Sequence, residues 1–192
     1  MTVSITIGQA SERLKRARRV LVIGCSGGGK STLSQKLAAH FGLEYQSIDR
    51  DVRWLPGWRE RDRDARRRIL EELVARERWV MDGSNPSTFD LRVPRADLVI
   101  WVRMPRWTCL LGVARRVWRY HGTVRPDMAE GCPEPLPDRT FLDYIWNFEK
   151  KSAPLFVREL DRHGGGIPLV TLRSRKETRR LLHGAGVEGV AA

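Results

Sequence analysis

A lysine and a hydroxyl directly after a run of glycines form a phosphate-handling pattern. The stretch Gly24-Cys25-Ser26-Gly27-Gly28-Gly29-Lys30-Ser31-Thr32 fits G-x-x-x-x-G-K-[ST]. Glycines let backbone N–H groups turn toward an anion with no side chain between. Lys30 is placed to reach the β- and γ-phosphates of a nucleoside triphosphate, and Ser31 to offer its hydroxyl to Mg2+. Asp82 ends the apolar run WVMD, where a carboxylate holds Mg2+ directly or through water. Asp49 closes EYQSID, with Asp51 just beyond, and suits an acid that holds an acceptor hydroxyl and takes its proton. Arg115 and Arg119 lie four residues apart and so share a helix face, with Arg116 beside them and Arg125 beyond. Arginines on a mobile segment neutralise charge on a transferring phosphoryl group and shut out water.

These residues need elements to bring them together. The short β-branched run RVLVIG (19–24) reads as a buried strand, and STLSQKLAAHFG after the glycine loop reads as a helix stopped by Gly42. Further strands are expected at 44–49, 78–83, 96–105 and 166–174, with helices at 62–78, 106–120 and from about 139, broken near Pro154. Trp107, Leu110, Leu111, Ala114, Val117 and Trp118 form the expected inner face of the helix over 106–120. Ser174 and Glu177 form a capping box for a last helix. Residues 1–18 read as an extension, with Ser11 capping a brief basic helix, and 185–192 as a flexible tail. Residues 19–184 then form one domain, with a proline- and glycine-rich lid at about 115–140. Strands alternating with helices predict an α/β fold: a parallel sheet with helices on both faces. Ligands bind such sheets at the strands' carboxyl ends, the rim that carries Gly24, Asp49, Asp82 and Arg173.

Composition narrows the class. At 41% hydrophobic residues over 192 positions, the chain can bury a core of its own. It has no apolar run long enough to cross a membrane and no signal-peptide pattern at the start. Three scattered cysteines, Cys25, Cys109 and Cys132, suit a reduced cytoplasmic protein and not a disulfide scaffold, and Cys132 lacks the neighbours of a zinc lid. The net charge of +12 comes almost wholly from arginine. It suits an anionic small-molecule ligand better than a nucleic acid, since no nucleic-acid-binding motif accompanies it.

The motifs GCSGGGKSTLSQKLA, IDRDVRWLPGW, WVMDGS, ADLVIWVRMPR and RPDMAEGCPE resemble, in that order, the bacterial DNA topology modulation proteins. These are similar to adenylate kinase and other P-loop nucleoside monophosphate kinases, and to shikimate kinase. The resemblance covers about residues 19–182. It implies a three-layer P-loop NTPase fold with a five-stranded sheet of order 2-3-1-4-5 and a lid insertion, and it implies ATP and Mg2+. By resemblance, Gly24 to Thr32 bind the nucleotide phosphates, Ser31 and Asp82 hold the metal, and Asp49 is the acceptor-binding acid. Arg115 and Arg119 match the paired lid arginines, and Arg173 lies where the adenine loop belongs. One departure stands out: Asp82-Gly83 leads to Ser84-Asn85-Pro86, where adenylate kinases have Phe-Pro-Arg, so Arg92 or Arg95 is left to replace the missing acceptor arginine.

The reading that follows is a kinase moving the γ-phosphoryl of ATP to a small acceptor that the residues do not name. Its rivals are a DNA-binding ATPase that regulates DNA topology and a nucleotide-binding protein without turnover. A GTP switch is disfavoured, because Arg103-Met104-Pro105-Arg106 stands where a guanine reader belongs.

Overall fold

The computed structural model describes residues 1–187, so of the tail expected over 185–192 the part from 188 onward lies outside the described residues, while Ala185 and Val187 are buried. Strand β1 (Val3–Ser4) and helix α1 (Ile7–Leu14) come first, then β2 (Arg19–Gly24), α2 (Lys30–Phe41) and β3 (Glu44–Ser47). A π-helical turn (Ile48–Arg53) leads into a hairpin of β4 (Trp54–Leu55) and β5 (Arg59–Glu60). Helix α3 (Arg63–Ala75), β6 (Trp79–Asp82), α4 (Phe89–Arg92), β7 (Leu98–Val102) and α5 (Arg106–Tyr120) follow. After an irregular stretch come α6 (Arg139–Asn147), α7 (Ala153–His163), β8 (Pro168–Leu172) and α8 (Arg175–Gly184).

The main sheet is parallel, in the order β3-β6-β2-β7-β8-β1. Its first five strands have the expected 2-3-1-4-5 order, counted from the strand that carries the glycine loop. The sixth strand corrects the expectation of five. Val3 and Ile5 donate their backbone N–H groups to Ile167 and Leu169 at 2.9 Å, so the first residues complete the sheet edge. Ser11 does not cap α1. Thr6 does, in a reciprocal box with Gln9, while Ser11 is buried and donates to the carbonyls of Ile7 and Leu181. The T-x-x-Q spacing of that box is present in the sequence at Thr6 and Gln9.

β2, β6 and β7 are buried along nearly their whole length, as strands covered on both faces must be. Phe156 of α7 gathers Phe89, Trp101 and Phe148 around it at centroid distances of 5.4, 5.9 and 5.4 Å. Each such ring removed from water contributes a few kcal/mol, about 1.5–3 by apolar area. Pro154 falls in the first turn of α7, and in place of the expected break a π-helical stretch (Phe148–Ser152) joins α6 directly to α7.

The expected inner face of α5 is displaced by part of a turn. Cys109 and Val113 are the buried residues, whereas Trp107 is 63% exposed, Leu111 62% and Trp118 90%. Gly27 of the glycine loop lies against Cys109 and Val113, and this contact sets the rotation of the helix.

Candidate functional site

The glycine loop runs from β2 into α2 at the carboxyl rim of the sheet, and α2 begins at Lys30, so its N-terminus faces the loop. Gly27 has φ 74°, and a Cβ there would collide with the Cys109 carbonyl, so only glycine lets the loop close on α5. Lys30 Nζ donates to the Cys25 carbonyl at 3.0 Å, which holds the ammonium over the loop.

Asp82 ends β6, the neighbour of β2, and is 4% exposed. The Tyr45 hydroxyl donates to its Oδ2 at 3.0 Å, and the Ser31 hydroxyl stands near it. Burial pushes the Asp82 carboxyl up to about 6, against the pull of Lys30 and of the two hydroxyls. Burial and the Asp82 charge push the Tyr45 phenol well above its ordinary range. The two residues expected to hold metal, Ser31 and Asp82, are therefore neighbours. They form a hard oxygen pair, and among the described residues no cluster of three His, Cys, Asp or Glu side chains supplies a full cage. That suits Mg2+, which takes few protein ligands and completes its shell with water and substrate phosphates.

A cleft of about 1140 Å³ opens from this point. Ser26, Lys30, Ser31, Asp82, Arg115 and Arg119 line the glycine-loop end. Asp49 lines it too, but from the π-helical turn after β3, since that strand stops at Ser47. Asp51 turns away to accept from the Ser47 N–H at 2.8 Å and from Arg50 Nε at 2.6 Å, so it holds the turn together. The far end carries Arg53, Arg63, Arg66 and Arg67. Of these, Arg53 and Arg66 both pair with Glu60, and Arg67 pairs with Asp90.

The four lid arginines separate into two pairs. All four line the cleft, but Arg115 and Arg119 form no ion pair among the described residues. Arg116 and Arg125 both pair with Glu134 at 2.7 Å, and Glu134 is 3% exposed. Neither of the arginines considered as the acceptor replacement reaches the cleft. Arg92 is fully buried and donates to the carbonyls of Gly83 and Asn85 at 2.7 and 2.6 Å, and to Thr88 Oγ1 at 3.0 Å. It therefore shapes the loop after Asp82; burial holds its guanidinium down to about 9. Arg95 is exposed and does not line the cleft.

Arg173 is likewise exposed and outside the lining, with its backbone N–H bound by Glu177. Arg175, at the first turn of α8, lines the cleft instead. Its guanidinium lies against Gly29, and Nη2 donates to the Gly27 carbonyl at 3.4 Å. Sequence reasoning missed Tyr45, Glu134 and Arg175. Only the GCPE segment that contains Glu134 had signalled itself.

A glycine loop between a buried strand and a helix, an acid on the next strand and a parallel sheet of this order define the P-loop kinase fold. Solved structures agree. A shikimate kinase from Acinetobacter baumannii in complex with shikimate is similar at TM-score 0.53 and 14% identity, over 90% of this chain and 93% of that one. A shikimate kinase from Bacteroides thetaiotaomicron is similar at TM-score 0.52 and 18% identity, over 87% and 97%. At such identities the likeness is one of fold. No protein-family model matches the chain. No curated protein matches it either.

Proposed function

We propose that the chain is an ATP- and Mg2+-dependent phosphotransferase acting on a hydroxyl of a small acceptor. One observation carries this reading: Lys30, Ser31 and Asp82 line one cleft together with Asp49 and a second group of polar residues, among them Arg53, Arg63 and Arg66, that lie outside the glycine loop. A motor or switch needs only the first three. The loop amides and Lys30 hold the phosphates, while Arg115 and Arg119 offset the charge that spreads over a transferring group. Asp49 orients the acceptor hydroxyl and receives its proton. Mg2+, when bound by Ser31 and Asp82, supplies charge neutralisation on the phosphate oxygens. Arg175, which lines the cleft beside the glycine loop, adds a cation on the nucleotide side, near where Arg173 was expected at the adenine loop.

The buried, reduced cysteines support a cytoplasmic setting, and no described helix is long and apolar enough to cross a membrane. A second reading, an ATPase that binds nucleic acid, has one observation in its favour. Exposed Trp118 stands beside Arg115 and Arg119 near the end of α5, and an aromatic with arginines suits stacked bases.

The test is ATP consumption with nucleoside monophosphates, hydroxy acids and sugars as acceptors, with duplex and single-stranded DNA in parallel. Acceleration by a small acceptor, lost in Lys30→Ala and in Asp49→Asn with ATP binding kept in the latter, is expected. Acceleration by DNA alone would overturn the kinase reading.

A further inference from the structure

Two segments distant in the chain close the cleft as one roof. The β4–β5 hairpin contributes Arg53 and Glu60, at its base, to the cleft lining, and the 123–134 segment contributes Arg125, Pro126 and Asp127. Their tips are joined by backbone and side-chain bonds. Trp58 donates its backbone N–H to Cys132 Sγ at 3.3 Å and its indole Nε1–H to the Pro133 carbonyl at 3.1 Å. The Cys132 thiol donates to the Leu55 carbonyl at 3.3 Å, and the Gly57 N–H to the Gly131 carbonyl at 3.0 Å. Trp54 and Trp58 meet edge to face at 5.3 Å and pack on Met128, Ala129 and Cys132, a small core separate from the main one.

The backbone of Trp58 adds a second observation. Its φ is 59°, and among the described residues no other non-glycine residue has a positive φ. A large side chain avoids that region unless its surroundings hold it there. The bonds to Cys132 and Pro133 are what hold it. The same conformation that strains Trp58 points its N–H at the thiol, so the strained residue sits at the joint itself.

We propose that Trp58 and Cys132 are positioning residues that weld the acceptor-side hairpin to the phosphate-side lid, so that one movement opens and closes both ends of the cleft. The weld itself stands on contacts; its consequence for the two ligands rests on the phosphotransferase reading. A nucleotide that orders the lid then orders the hairpin as well, and the acceptor finds its chamber already formed. By reciprocity an acceptor tightens nucleotide binding by the same factor. Water is shut out of both ends together, which guards the triphosphate from hydrolysis.

The test is amide hydrogen exchange on the full chain, read by mass spectrometry, with and without Mg2+ and a non-hydrolysable ATP analogue. In the free protein, residues 54–60 and 123–134 are expected to open with one free energy and one urea dependence. The analogue, which fills the glycine-loop end, is expected to slow exchange in both segments by a similar factor, at least about fivefold. Trp58→Gly removes the indole and leaves the backbone free to take a positive φ, and should confine that protection to 123–134. Cys132→Ser keeps a donor and an acceptor and should preserve protection of both. Protection of 123–134 alone in the wild type, or unequal urea dependences in the free protein, would overturn the weld. If the analogue protects nothing, including residues 24–32, the ATP reading fails, and the free-protein comparison still decides the weld.

Discussion

Gly112 of α5 stands against Gly27 of the glycine loop with no side chain between them: a Cβ on Gly112 would fall on the Gly27 carbonyl oxygen. The loop and the helix that bears Arg115 and Arg119 therefore touch backbone to backbone. Gly112→Ala should push the loop off its seat and weaken nucleotide binding about tenfold, or ~1.4 kcal/mol, by titration calorimetry. Gly165→Ala, at an open surface position, is the control and should bind as the wild type.

Asp82 gives a pH signature in chelator-treated protein. Its folded carboxyl is raised to about 6 by burial. From about pH 4, where an ordinary aspartate titrates, up to about 6, the folded chain holds a proton that the unfolded chain has released. Stability should fall as pH rises through that window, by on the order of 3 kcal/mol at most. Asp82→Asn removes the titration. Its stability relative to wild type, from urea unfolding, should climb between pH 4 and pH 7; a flat difference would mean that Asp82 titrates normally.

Arg92 is a structural cation. Arg92→Ala leaves the Gly83 and Asn85 carbonyls without their donors and should cost about 3 kcal/mol or more in urea unfolding. Arg92→Lys should recover little, because an ammonium cannot span two carbonyls and Thr88 as the planar fork does.

The paired and unpaired lid arginines should behave differently. Arg119→Gln is expected to lower phosphoryl transfer about a thousandfold with stability unchanged, as loss of a charge acting on the transferring group does. Arg116→Gln leaves Glu134 buried with Arg125 as its one remaining arginine, so its main effect should be on unfolding, by about 3 kcal/mol. Steady-state kinetics beside urea denaturation separates the two. Equal kinetic losses would place Arg116 on the substrate as well.

Local chemistry accounts for what was legible beforehand. The glycine loop, Lys30, Ser31 and Asp82 are short-range signals: a turn that needs glycine, a helix start and a strand end. The order of five strands came with the resemblance, and their alternation with helices from apolar runs between turns. Less legible were matters of direction. Asp49 was placed one element early because β3 stops at Ser47 and the chain turns within a π-helical stretch. Arg173 and Arg175 both stand near the start of α8, and only the position of that helix over Gly29 selects Arg175. On α5 the periodicity marked an apolar face, yet the contact with Gly27 turned Cys109 and Val113 inward and left Trp118 in solvent.

By itself, then, the sequence determined a glycine loop of the phosphate-handling pattern, a strand-end acid on the neighbouring strand and a parallel α/β framework, because each depends on residues adjacent in the chain. The tertiary structure decided which arginines are free for a ligand, since that turns on Glu134, Glu60 and Asp90 arriving from elsewhere. It also brought LPGW against GCPE. In the sequence they stood only as separate motifs of the resemblance, and packing across more than seventy residues joined them, with Trp58 and Cys132 at the contact.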